Sequence, residues 1–237
     1  MEMDTRVFAD LDALSHAALN ELLRVMHEAI EQRGRFAIAL AGGRTPARLY
    51  SLWSREQPMT WDRIHLFWGD ERYVSQNDLL SNFRMVREAL IAHVPIPPAN
   101  VHPVPTDQPS PEQAAEAYES TLRAFFRTAT PALDLVLLGL GPEGHTASLF
   151  PDSPALDETK RLVVAVEAPA KPPNRITFTP VLLNLARNTF FLISGADKRA
   201  IVLALRQKSP AAASQFPAAR IRPAGPVVWF LDRAACS

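Results

Sequence analysis

Residues 133–151, LDLVLLGLGPEGHTASLFP, constrain this chain more than any other stretch. The apolar run 135–138 is dense enough for a strand buried on both faces, as in a parallel sheet covered by helices. Gly139, Gly141 and Gly144 follow at once. Glycine admits positive φ and lets a ligand come close to the main chain. His145 stands at the tip, with Thr146 and Ser148 beside it. Ligands of parallel α/β sheets bind outside the carboxyl ends of the strands. The stretch therefore carries one titratable imidazole to the place where such folds do chemistry. Taken alone, the same residue also fits a histidine that caps a turn or fills a gap.

The pattern recurs upstream. FAIALA at 36–41 reads as a buried strand, broken by Gly42-Gly43-Arg44-Thr45-Pro46, and Pro46 suits the first position of a helix through ARLYSLWSR. Such a helix start offers free backbone N–H groups, which attract phosphate. This loop itself matches neither GxxxxGK[ST] nor GxGxxG, so it fits a phosphate-binding turn or a plain tight turn equally. IHLFW at 64–68 runs into Gly69-Asp70-Glu71-Arg72, a second charged strand end that also fits a solvated loop. Ser81 is placed to cap a helix over 82–94, and Ser110-Pro111-Glu112-Gln113 has the form of a capping box. The helix after it carries Tyr118, Leu122, Phe125 and Phe126 on one side, a stripe that reads as core. Six prolines within 95–109 make that segment a loop.

Earlier and later segments complete the alternation. A helix is predicted over 15–33, closed by Gly34, and strands over 162–166, 189–194 and 226–231. Residues 175–179 read as a strand or extended segment, Pro180 begins a helix through Ala186, and Lys198 opens another through Gln207. Strands alternating with helices predict an α/β fold, a doubly wound, mostly parallel, Rossmann-like sheet with helices on both faces. No break in composition divides the chain, so one domain over residues 1–237 is expected.

Charge and cysteine usage narrow the function. Lys plus Arg and Asp plus Glu number 25 each, a formal net charge of zero, which argues against broad binding to nucleic acid or membrane surfaces. No run approaches the roughly 18 apolar residues of a membrane span, and the acidic amino terminus lacks a signal-peptide core. Cys236 is the single cysteine, so a reducing compartment, the cytoplasm, is expected. The histidines at 16, 27, 65, 93, 102 and 145 lack metal-ligand spacing, and no GxSxG elbow is present. No metal and no other cofactor are expected. The strand ends at 42–45, 70–72, 144–145 and 195–198, with Arg175, suit a small phosphorylated molecule. A single histidine with a neighbouring acid suits general acid–base work on it.

Four motifs, in order along nearly the whole chain, give this sequence a family resemblance. They are AGGRTP at 41–46, GDER with SN at 69–82, LGLGPEGHTASLFP at 138–151, and RITFTP at 175–180 with GADK at 195–198. The sequence resembles the 6-phosphogluconolactonases, the second enzymes of the oxidative pentose phosphate pathway. The related glucosamine-6-phosphate isomerases typically run from this histidine into a Phe-Asn-Glu stretch, where this chain has Thr146 to Pro151. The resemblance implies cofactor-free hydrolysis of 6-phosphoglucono-δ-lactone, by a monomer or weak homodimer. It implies His145 as general base, with Arg72 and Glu143 beside it in catalysis. It further implies Gly42, Gly43, Arg44, Thr45, Asp70, Asn82, Gly144, Arg175 and Lys198 as substrate-binding residues. Among these, 42–45, Arg175 and Lys198 are expected to hold phosphate and sugar hydroxyls. Two positions depart from the family pattern: Glu143 replaces the usual Asp, and Arg44 the frequent Ser. An amino-sugar-phosphate isomerase or deaminase is the rival enzyme, and it would need a carboxylate after His145. A sugar-phosphate-binding regulator is the rival outside catalysis, and it would bring a basic DNA-binding segment.

Overall fold

The structure is a computed structural model and describes residues 4–56, 60–128, 130–206 and 216–236. At its centre lie β2 (Phe36–Leu40), β5 (Leu135–Leu138) and β8 (Thr189–Ile193), in which every residue is buried. Runs with no polar face need cover on both sides. Together with β1 (Asp4–Phe8), β3 (Ile64–Trp68) and β9 (Val227–Asp232) they form a parallel sheet in the order β1-β9-β8-β5-β2-β3. The helices are α1 (Leu11–Arg33), α2 (Arg44–Trp53), α3 (Asn82–Ala89), α4 (Pro111–Phe126), α5 (Pro180–Leu183) and α6 (Arg199–Arg206). From β2 the chain steps outward to β3, whereas from β5 it steps the other way to β8 and β9. Right-handed crossovers in opposite directions place α2 and α6 on opposite faces of the sheet. The reversal falls between neighbours β2 and β5, and there the carboxyl ends open a crevice.

Local signals explain the helix ends. Asp10 caps α1 by accepting from Ala13 N at 2.9 Å, and Gly34, at φ 72°, closes it with a bond to Ile30 O. Leu14, Leu22, Val25 and Met26 are buried along its inner face. Each such side chain contributes about 1.5–3 kcal/mol by leaving water. Ser81 and Ser110 cap α3 and α4 as expected, accepting from Arg84 N and Gln113 N.

A second, antiparallel sheet changes the reading of the middle of the chain. It comprises β4 (Asp70–Arg72), β7 (Asn174–Phe178) and β6 (Val163–Glu167), in the order β4-β7-β6. Only residues 168–173 separate β6 from β7, far less than the dozen or more that a parallel crossover needs. The pair is therefore a hairpin, and α4 packs against it. Residues 70–72, read as a charged loop end, form its third strand. Strand β1 had no sequence expectation and pairs with β9 at the edge.

Smaller corrections concern helix limits. Helix α1 begins at Leu11 rather than at Ser15. Gly43 is the N-cap of α2, so Pro46 occupies the third helical position rather than the first. Helix α3 stops at Ala89, with a separate turn at Ile91–His93, and α5 stops at Leu183. Lys198 ends a short turn, Ala196–Lys198, and α6 starts one residue later. The end of that predicted helix, at Gln207, lies outside the described residues.

Candidate active site

A cavity of about 200 Å³ lies at the β2/β5 switch point, walled by Leu40 to Gly42 on one side and Leu137 to Pro142 on the other. Of the residues singled out in the sequence, Gly42, Asp70, Arg72, Asn82, His145, Arg175 and Lys198 line it. Gly43, Arg44, Thr45, Glu143 and Gly144 do not. A larger cleft of about 810 Å³ runs along β6 and includes Glu143, but it contains no histidine. The smaller space is the one that gathers the histidine and the cations named from the sequence.

His145 is set by a tight glycine turn. Gly141 N donates to His145 O at 2.8 Å, and Gly144 N to Gly141 O at 3.0 Å. Gly144 has φ 85°, a conformation that disfavours side chains. Thr146 Oγ1 donates to Gly139 O at 2.8 Å and ties the far limb to the end of β5. The imidazole rests on Gly141, where an added Cβ would lie 2.0 Å from Nδ1. Beside it stands Phe150, with ring centroids 4.4 Å apart. Glu143 Oε1 lies 2.9 Å from Nδ1, an ion-pair contact without hydrogen-bond alignment, and Nδ1 is shielded from solvent. The longer side chain at 143 thus reaches the ring. The side chain is 26% exposed and lines the cavity.

The alternation of β4 supplies the opposite wall. A strand sends successive side chains to opposite faces. Asp70 and Arg72 line the cavity, while Glu71 turns away and is 2% exposed. Ser148 Oγ donates to Asp70 Oδ2 at 2.7 Å, and Asn82 Nδ2 donates to Asp70 O at 2.9 Å. Gly42 leaves room for that amide, because a Cβ there would lie 2.0 Å from Asn82 Oδ1. Burial pushes the Glu71 carboxyl up to about 7, against the pull of N–H donors from Asn82, Phe83 and Arg72.

The cationic wall is strained by like charge. Arg72 and Arg175 are register partners on adjacent strands. Like charges placed opposite each other destabilise a sheet, so the pair favours an anion between or beside them. Arg175 is 7% exposed. Burial first, then the Arg72 charge, lower its pKa. Arg175 Nε donates to Pro172 O at 3.2 Å. Arg72 Nη1 donates to Leu80 O at 2.7 Å, while its buried Nε has no partner. Across the cavity, Lys198 Nζ pairs with Asp197 Oδ2 at 2.9 Å. Lys198, with a smaller contribution from Arg44, holds Asp197 below the usual carboxylate range. The Gly195 turn under Lys198 is anchored by its N–H to the Asp232 carboxylate at 3.2 Å. No side chain caps α2 at Gly43, φ 102°.

The site residues named from the sequence omit Ser148, Glu71 and Phe150, although Ser148 stands beside His145 and Glu71 lies within the strand end at 70–72. The strand alternation of 70–72 carried the signal for Glu71. Nothing in the sequence signalled the contact between Ser148 and Asp70. No cluster of three or more His, Cys, Asp or Glu able to hold a metal occurs among the described residues. No helix among them is long and apolar enough to cross a membrane.

Residues 9–229 match the model of the family described as glucosamine-6-phosphate isomerases/6-phosphogluconolactonase. The chain is 46% identical over 213 residues to a 6-phosphogluconolactonase of Synechocystis, covering 88% of this chain and 86% of that protein. It is 43% identical over 240 residues to the Nostoc 6-phosphogluconolactonase, covering 99% and 98%. The solved structure of the 6-phosphogluconolactonase from Trypanosoma cruzi superposes with a TM-score of 0.89 at 29% identity, covering 99% and 96% of the two chains.

Proposed function

The chain belongs to the glucosamine-6-phosphate isomerase/6-phosphogluconolactonase family, and from that premise we propose that it hydrolyses 6-phosphoglucono-δ-lactone to 6-phosphogluconate. One observation carries the choice of chemistry. A histidine with Nδ1 against a carboxylate lines the same cavity as two arginines paired across adjacent strands. That is a base opposite an anion-stabilising surface.

The proposed reaction is water-activated ester hydrolysis. Neutral His145 accepts a proton through Nε2 from a water as its oxygen attacks the lactone carbonyl carbon. The carbonyl becomes a tetrahedral oxyanion, stabilised by the Arg72 guanidinium, which lines the cavity. When the intermediate collapses, the bond from C1 to the ring oxygen breaks and the imidazolium returns its proton to that oxygen. Glu143 holds the ring and stabilises the imidazolium between the two transfers. Lys198, Arg175 and the uncapped start of α2 at residues 43–45 supply the phosphate and hydroxyl contacts. Ser148 occupies one oxygen of Asp70, so that carboxylate serves binding rather than proton abstraction. Phe150 stands against His145 where an isomerase would want an acid, which favours hydrolysis over the aldose–ketose rival.

The test follows ring opening of freshly made lactone with purified protein, with and without EDTA. Acceleration that survives chelation is expected. His145→Asn should lower the rate by roughly 10²–10⁴, the usual contribution of a general base, with an unchanged circular dichroism spectrum. No acceleration by the wild-type protein would sink the activity. A folded His145→Asn enzyme at full rate would place the base elsewhere.

A further inference from the structure

Glu71 takes no part in the chemistry above, yet it is a buried carboxylate next to two cavity residues. Its oxygens are fully used. Oε1 accepts from Arg72 N at 2.7 Å and Asn82 N at 2.8 Å. Oε2 accepts from Phe83 N at 2.7 Å and Ser81 Oγ at 3.2 Å. Its partners are three backbone N–H groups and a hydroxyl, not a cation. Burying a carboxylate is costly unless its lone pairs are satisfied, and α3 already has a side-chain cap in Ser81. Stabilising an eight-residue helix does not by itself call for a second, charged cap.

What Glu71 adds is a seam. Its bonds join β4 to the first turn of α3 on the side away from the cavity. On the cavity side the same seam is closed by Asn82 Nδ2 to Asp70 O and by Arg72 Nη1 to Leu80 O. The two residues whose N–H groups share Oε1 are Arg72 and Asn82, and both line the cavity. We propose that Glu71 is a positioning residue: its carboxylate fixes α3 against β4 and thereby sets the Arg72 guanidinium where the reaction needs it. The inference rests on the oxyanion role assigned to Arg72.

Glu71→Gln is the informative change because it keeps the shape. Its amide oxygen can still accept from Arg72 N and Asn82 N. Its amide nitrogen would present a donor to the Phe83 N–H, where Oε2 now accepts at 2.7 Å. One side of the seam opens while the packing stays. The experiment measures kcat, KM and thermal melting for Glu71→Gln, Arg72→Ala and the double variant.

Misplacing a reacting group by ~1 Å costs up to about 10²-fold in rate. Glu71→Gln should therefore lower kcat by roughly ten- to a hundredfold and shift KM by less than about threefold. In the Arg72→Ala background it should change kcat by less than about twofold, because coupled residues are not additive. An equal fall in both backgrounds would overturn the positioning role. So would a normal kcat in Glu71→Gln beside a slowed Arg72→Ala enzyme, which leaves the oxyanion reading standing. A normal kcat in Arg72→Ala beside a slowed Glu71→Gln enzyme would overturn the coupling and, separately, that reading of Arg72. If Glu71→Gln does not fold, Glu71→Asp, which keeps the charge and shortens the reach, enters the same cycle. Failure of both to fold would make Glu71 a folding element and end the proposal.

Discussion

Gly141→Ala offers a sharp probe of the histidine because it adds one carbon and touches little else. Gly141 is not among the glycines held at positive φ, so alanine can adopt the backbone conformation. The added Cβ would lie 2.0 Å from His145 Nδ1, 2.2 Å from Cε1 and 2.8 Å from Cγ. Ordinary contact begins near ~3.5 Å, so the ring must retreat by roughly 1.5 Å. Phe150 and Glu143 restrict that retreat. A shift of that size costs about 10²-fold or more in a reaction that depends on near-attack geometry. The steric cost to the fold is about 1–3 kcal/mol, or a melting point lower by roughly 2–12 °C for a chain of this size. The expected outcome is a folded protein whose kcat/KM falls about a hundredfold. Steady-state kinetics on fresh lactone, with a thermal melt on the same sample, reads both numbers. A Gly141→Ala protein with wild-type kcat/KM would refute the placement of the base over this glycine.

Lys198→Ala should raise KM about ten- to a hundredfold with kcat nearly unchanged, since a charge-assisted contact worth about 1.5–3 kcal/mol is lost in ground and transition states alike. A fall in kcat alone would move Lys198 from phosphate binding to the reacting centre. His65, whose Nδ1 lies 3.3 Å from His102 Nε2, is pulled down to about 4 by burial, then by His102 and Arg35. The unfolded chain holds that histidine near ~6.5, so between pH 6.5 and 4 it binds more protons than the folded chain, and stability falls as the pH drops through that window. Glu71, raised to about 7, works in the opposite direction, but it is present in both proteins and cancels in the comparison. His65→Gln should therefore lose less stability than wild type between pH 7.5 and 4.5 in urea titrations, and equal losses would remove His65 as the cause.

Legibility differed from element to element. The strands at 36–40 and 135–138 were plain because an unbroken apolar run between glycines has few other places to go. The caps at Ser81 and Ser110 were equally plain, being local chemistry between residues three apart. The second sheet was missed in part because 70–72 is too short and too charged to show a period. The hairpin from β6 to β7 was readable, however, from the shortness of residues 168–173. Strand β1 had no signal, since none of its residues is buried and it is held by pairing with β9, over two hundred residues away.

By itself the sequence determined the class of fold, the family motifs and the group of side chains delivered to the strand ends. All of these depend on runs of neighbouring residues, and neighbouring residues are what a sequence displays. Tertiary structure alone decided that Gly42, Asp70, Asn82, His145, Arg175 and Lys198 share one small cavity while Arg44 and Thr45 stay outside its wall. Only there does Ser148 meet Asp70, 78 positions away, and Arg72 face Arg175 across a strand pair. Those meetings are set by the order of strands in two sheets, and strand order follows from how the whole core packs rather than from any stretch of the chain.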